Sequence, residues 1–297
     1  MTLPAGYPSD LRADTAARAI GPGRWELALP DRWNYLHPSG GVVVTAALRA
    51  AEAALGDAAL KLASTTTVFC TPITAGVLDA EVVILRKGKA TAQVRVTVRA
   101  PAAPDEIAAE IQATFCRDRA GPDVIGARFP AAIAMPDACA DADDGHPVNP
   151  HARFGFYKNY DCKIARGGRY WLPDFAAGPP RYARWFRYRV PQHTGGVLDR
   201  LALPPIADTM PTSLLEAIGP SPYRFYAPSL DLTVHVVDDT AREWLLVQSY
   251  CRRARVGWAT AEVEIWDDTR RLIAYGTQAM YLHHLGGDPP VIDASCR

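Results

Sequence analysis

Gly40-Gly41-Val42-Val43-Val44-Thr45-Ala46-Ala47-Leu48-Arg49-Ala50-Ala51-Glu52-Ala53-Ala54-Leu55 is the stretch whose reading decides the fold. Its Ala/Leu content after the first turn favours helix. The polar side chains Thr45, Arg49 and Glu52 follow one another by four and three positions, so they share one narrow stripe. The rest of the circumference is small and apolar. A surface helix shows a much broader polar face, so this one is expected to be nearly surrounded by protein. Strand-like segments follow it: Ser64 to Cys70, Gly76 to Arg86 and Ala90 to Arg99. In the last, Ala92, Val94, Val96 and Val98 alternate onto one face. A central helix wrapped by an antiparallel sheet is the expectation.

Working outward, Arg24 to Leu29 alternates as a strand before the helix. Ile107 to Phe115 has the composition of a helix and the position of a strand. Residues 119–152 are rich in Pro, Asp, Ala and Gly and read as a linker longer than most loops within a domain. Beyond them Tyr182 to Val190 reads as a strand, and a partly helical run to Ala217 is broken by Pro204, Pro205 and Pro211. Four strands complete the chain: Ser229–Val237, Glu243–Cys251, Ala259–Trp266 and Leu272–Leu282. Asp267-Asp268-Thr269 turns between the last two. The order repeats. Ala90 to Val96 matches Ala259 to Ile265, Gln112-Ala113-Thr114-Phe115 matches Gln278-Ala279-Met280-Tyr281, and Gly40-Gly41 is echoed by Gly195-Gly196. The repeat argues for a strand at 107–115.

Composition narrows the function. In 297 residues, 32 Lys and Arg balance 32 Asp and Glu, so no net field draws nucleic acid. No apolar run reaches the ~20 residues of a membrane helix, and Met1 to Asp14 does not read as a secretory signal. Six cysteines without regular spacing argue for a reducing, cytoplasmic setting. No His spacing suggests a metal, and the sequence shows no phosphate-binding or nucleotide-binding glycine motif. No cofactor is expected.

A strand, a buried helix and an antiparallel meander make the hot-dog pattern. Two copies resemble the double hot-dog acyl-CoA thioesterases of the type II (TesB-like) family. Four features carry the resemblance: Gly40-Gly41 opening the helix, the turn Thr71-Pro72-Ile73-Thr74-Ala75-Gly76, the basic hairpin Arg86-Lys87-Gly88-Lys89, and the strand Leu272 to Met280. The resemblance implies an α+β fold of two tandem hot-dog modules, at 22–118 and 153–285, joined side by side through a linker at 119–152. It implies an acyl-CoA substrate and a water held by a carboxylate, a hydroxyl and a Gln amide. Their places look like Asp208, Ser229 and Gln278, with Thr233 the alternative hydroxyl if the register shifts by four. Ser229 would be a departure from the Thr of the best-known members. Gly40 and Gly41 would bind the substrate oxyanion, as Gly195-Gly196 could, and Arg86, Lys87 and Lys89 would meet the phosphates of coenzyme A, with Arg252, Arg253 and Arg255 their counterparts.

The chemistry is simple. A thioester has a good leaving group, so a carboxylate that takes the water proton and N–H groups that bind the oxyanion suffice. Other readings stay open. Asp208 could instead cap a helix starting near Thr209-Met210-Pro211, and Ser229 could be an ordinary strand-edge hydroxyl. Gln112, matched to Gln278, could make Gln a feature of the fold. His37 and His193, each before a glycine pair, would serve a hot-dog hydratase, dehydratase or lyase on a thioester or polyketide-like substrate. A non-catalytic acyl-binding protein is the third reading. Exposed sheet edges would allow a homo-oligomer.

Overall fold

The computed structural model describes residues 3–292. In chain order the elements are α1 (Leu11–Asp14), β1 (Ala17–Gly21), β2 (Arg24–Leu29), α2 (Gly40–Leu55), β3 (Lys61–Phe69), β4 (Gly76–Lys87), β5 (Thr91–Arg99) and β6 (Ala109–Cys116). Then come β7 (Ala140–Asp141), α3 (Pro150–Arg153), β8 (Tyr160–Arg166), β9 (Arg181–Tyr188), β10 (His193–Thr194), β11 (Val197–Leu198), α4 (Leu203–Ala207) and α5 (Pro211–Ile218). The chain closes with β12 (Arg224–Tyr226), β13 (Asp231–Val236), β14 (Leu245–Arg255), β15 (Trp258–Asp267), β16 (Leu272–Tyr281) and β17 (His283–Gly286).

One antiparallel sheet of 13 strands holds both halves, in the order β1-β2-β4-β5-β6-β3-β13-β16-β15-β14-β9-β8-β7. The halves meet where β3 pairs with β13, Thr66 opposite Thr233. This is the double hot-dog architecture, two modules sharing a continuous sheet. The stretch expected at 107–115 is strand over Ala109–Cys116, because neighbours on both sides complete its ladders: β6 pairs with β3 and with β5. Tertiary pairing overrides the helical composition.

Helix α2 is buried along most of its length, from Gly41 to Leu48 and at Ala50, Ala51 and Leu55. A Cβ at Gly41 would lie 2.2 Å from the Pro204 carbonyl oxygen, so the glycine is what lets α2 and α4 touch backbone to backbone. The polar stripe of α2 faces the second half. The Thr45 hydroxyl donates to the Leu201 carbonyl at 2.8 Å, and Arg49 pairs with Asp199 at 2.5 Å.

The stretch 119–152 is not free chain throughout. Phe129, Ile133 and Met135 pack on Trp185, Leu246 and Trp266, and the Trp185 indole N–H donates to the Ala134 carbonyl at 2.9 Å. β7 then adds to the sheet beside β8. Among the described residues no helix is long and apolar enough to cross a membrane.

Candidate active site

Pro211 has no N–H and its ring excludes the carbonyl four residues earlier, so the second module cannot continue α4 into α5. Asp208 falls at this break, as the residue that closes α4. Its side chain does not cap α5, which begins without a side-chain cap. It crosses instead to the N-terminus of α2 in the other module. There Asp208 Oδ2 accepts from the Gly41 N–H at 2.9 Å and from the Ser39 hydroxyl at 3.1 Å. The positive end of a helix dipole favours an anion at this place.

The second carboxylate oxygen faces the second module's strands. Asp208 Oδ1 accepts from the Ser229 hydroxyl at 3.0 Å and from Gln278 Nε2 at 2.5 Å, and the same Nε2 lies 2.6 Å from Ser229 Oγ. Ser229 is placed by an isolated bridge to Met280 just before β13, and Gln278 points inward from β16. Thr233 is not part of the site; its hydroxyl meets that of Thr66 at 3.2 Å. Gln278 is 1% exposed, and its Oε1 has no partner among the described residues. Burial pushes the Asp208 carboxyl above its usual range, and donors from Gly41, Ser229, Ser39 and Gln278 pull it back only in part. The result is a carboxylate that is more basic than one in water.

Asp208 and Ser229 line a cavity of about 650 Å³ at the start of α2, together with Gly40, His37 and the turn at Thr71-Pro72-Ile73. Phe154, Tyr157 and Tyr170 close another side. Gln278 stands behind this wall, holding Asp208 and Ser229 without lining the cavity. Among the described residues no group of three or more His, Cys, Asp or Glu side chains is placed to hold a metal.

Several expectations shift. Gly195 and Gly196 do not open a helix. Both have positive φ, 60° and 81°, and they form the two-residue turn joining β10 to β11, the geometry a tight hairpin requires. His193, in β10, does not line the cavity. His37 does line it and lies 5.7 Å from the Tyr226 ring, centre to centre. Arg86, Lys87 and Lys89 do not line the cavity either. Lys87 Nζ donates to the Leu55 carbonyl at 2.6 Å, so this hairpin sits at the C-terminal end of α2, where a cation complements the dipole. At ~1.5 Å rise per residue, that end is roughly 24 Å from Gly40. Ser39 was missed, although a Ser before two glycines is a recognisable N-cap.

Comparisons with known proteins bear on the family and the fold. The model of the acyl-CoA thioesterase N-terminal domain matches residues 29–116 and that of the C-terminal domain matches 136–282, together more than half of the chain. The chain therefore belongs to this acyl-CoA thioesterase family, enzymes of thioester hydrolysis. Solved structures show the fold. A conserved protein of unknown function with a hot dog fold from Alicyclobacillus acidocaldarius superposes with a TM-score of 0.78 at 18% identity, covering 95% of this chain and 98% of that one. An acyl-CoA thioesterase II from Mycobacterium marinum gives 0.71 at 20%, covering 93% and 99%. A tesB protein from Mycobacterium avium subsp. paratuberculosis gives 0.71 at 20%, covering 94% and 98%. No curated protein matches the sequence.

Proposed function

We propose that the cavity binds the acyl group of an acyl-CoA and that Asp208 activates the water that cleaves it. The observation that carries this reading is the convergence of Ser39, Gly41, Ser229 and Gln278 on one buried carboxylate that opens onto a mostly apolar cavity. Water rests against Asp208 and the Ser229 hydroxyl. As its oxygen attacks the thioester carbon, its proton passes to Asp208. The Gly41 N–H is already given to Asp208, so Gly40, at the first turn of α2 and on the cavity wall, offers the N–H for the oxyanion. The C–S bond then breaks, and the proton held by Asp208 goes to the departing thiolate. Gln278 is a positioning residue, fixing Asp208 and Ser229 from behind.

The same reading divides the chain into modules at 22–118 and 153–285 with 119–152 between them. The packing of Phe129 and Ile133 supports counting that middle stretch from Phe129 onward with the second module.

Release of free thiol from a panel of acyl-CoAs tests the proposal. Asp208→Asn is expected to lower kcat by about a hundred- to ten-thousandfold with the protein still folded. The wild type must keep Asp208 ionised, so kcat/KM should fall on the acid side through a pKa above the ordinary carboxylate range, a limb absent from the residual rate of Asp208→Asn. Undiminished turnover by the variant, or none by the wild type on any acyl-CoA, would sink the mechanism.

A further inference from the structure

Arg184, in the middle of β9, is 1% exposed, yet it forms no ion pair among the described residues. Its Nη1 meets His151 Nε2 at 3.0 Å and the Tyr157 hydroxyl at 2.9 Å, while Nη2 has no partner among the described residues. His151 Nδ1 lies 3.0 Å from Asn149 Oδ1. The Asn149 oxygen can only accept, so that contact sets the tautomer: Nδ1 carries the proton and Nε2 accepts from Arg184. His151 is therefore neutral and cannot balance the charge. The rings of Tyr157, Tyr182 and Phe186 lie 5.1, 5.4 and 5.0 Å from the guanidinium carbon. Ring faces attract a cation, but they leave its net charge uncompensated, and a buried charge without a counter-ion is costly.

The uncompensated charge lies one side chain behind the cavity wall. Tyr157 lines the cavity, and because its oxygen accepts from Arg184, its own O–H is free to donate. Tyr35 lines the same wall, 5.5 Å from Tyr157 ring to ring, and its buried hydroxyl has no partner among the described residues. Two phenolic donors backed by a cation form a receptor for an anion inside a cavity that is mostly apolar and whose own carboxylate, Asp208, is held by other donors.

We propose that the hydroxyls of Tyr35 and Tyr157, with Arg184 as the buried counter-charge behind them, receive the terminal carboxylate of the acyl group. The substrates are CoA monothioesters of dicarboxylic acids. This rests on the hydrolytic reading for its substrate and extends it to the far end of the acyl chain. Arg184 acts through Tyr157 and is a positioning residue.

The test compares succinyl-, glutaryl-, adipyl- and suberyl-CoA with butyryl-, valeryl-, hexanoyl- and octanoyl-CoA. For the best-fitting length the wild type should favour the carboxylated substrate by about tenfold or more in kcat/KM, the worth of a charge-assisted contact. Arg184→Met and Tyr157→Phe should erase most of that ratio, read within each variant between the two substrates of a pair, and Arg184→Lys should restore part of it. Should Arg184→Met fail to fold, the wild-type ratios and Tyr157→Phe decide. Equal or better turnover of every plain acyl-CoA by the wild type overturns the proposal. Calorimetric binding of adipyl-CoA against hexanoyl-CoA to Asp208→Asn separates the two claims. Tighter adipyl-CoA binding supports the receptor even where hydrolysis fails, and equal binding by these and the other pairs overturns it even where hydrolysis holds.

Discussion

Helix α2 of the first module runs 16 residues without interruption, whereas the second module breaks its helix into α4 and α5 around Asp208, Thr209 and Met210. The unbroken helix supplies a fixed N-terminus, with the Gly41 N–H and the Ser39 hydroxyl pointing outward from it. The broken one supplies a carboxylate free of its own helix. Neither half contains the site alone. The sheets differ in the same sense. Setting the halves against each other at their β-bulges places Val94 opposite Ala261, and the partners of these residues on the next strand are Ala113 and Gln278. Where the second module has the amide that grips Asp208, the first has a methyl group. The two halves of the fold are therefore unequal: one carries the amide and the broken helix, the other a methyl group and the unbroken helix.

The largest way to break this comparison is to spoil the fixed N-terminus. Gly41→Ala puts a methyl group 2.2 Å from the Pro204 carbonyl oxygen. Overpacking of that kind costs about 1–3 kcal/mol, and α2 and α4 must separate, carrying the Ser39 and Gly41 donors away from Asp208. Thermal unfolding should show a clear fall in Tm, and thiol release should fall with it. An alanine accepted with both unchanged would mean that the modules are not in the contact described.

A smaller effect sharpens the contrast between the sheets. Gln278→Leu keeps the Asp208 and Ser229 side chains but removes the donor that fixes them both, and should lower kcat about tenfold, near the net worth of one hydrogen bond to a charged group. Ala113→Gln puts an amide at the matching place in the first module, away from Asp208, and should leave the rate unchanged. Equal losses from both would place the chemistry in both halves and contradict the one-site reading.

Much of this architecture was legible because periodicity and helix composition are local. The bounds of α2 and the strands around it follow from apolar spacing over short windows. The site is not local. That Asp208 would close one helix and occupy the N-terminus of another was invisible, since its partners Ser39 and Gly41 lie in the other module. Matching letters also paired Gln278 with Gln112, which the sheet turns outward; a slip of one residue reverses the face of a strand. Gly195-Gly196 looked like Gly40-Gly41, but two glycines serve a hairpin turn as well as a helix start, and only the following prolines hinted that the helix began later. Nothing in the alternating run Tyr182 to Val190 marks Arg184 as buried, because His151, which meets its guanidinium, comes from a stretch that reads as linker.

The smallest predicted effect tests the polar stripe by which α2 meets the second module. Glu52 sits beside Arg49, which it meets at 3.5 Å, and Arg49 reaches on to Asp199. Burial and the nearby Asp199 push the Glu52 carboxyl up to about 7. The folded protein therefore holds this proton more tightly than the unfolded chain, whose Glu titrates near ~4.3. The stability contributed by Glu52 is fully present below that value and is lost as pH rises through about 7. Glu52→Gln keeps the shape and removes the titration. Its Tm should match or slightly exceed that of the wild type at pH above 7, and the difference should shrink or reverse under mildly acid conditions. Because the side chain is 36% exposed, solvent screening holds the change below about 1 kcal/mol. A wild type that gained on the variant as pH rose would show that Arg49 binds the Glu52 carboxylate more strongly than Asp199 repels it.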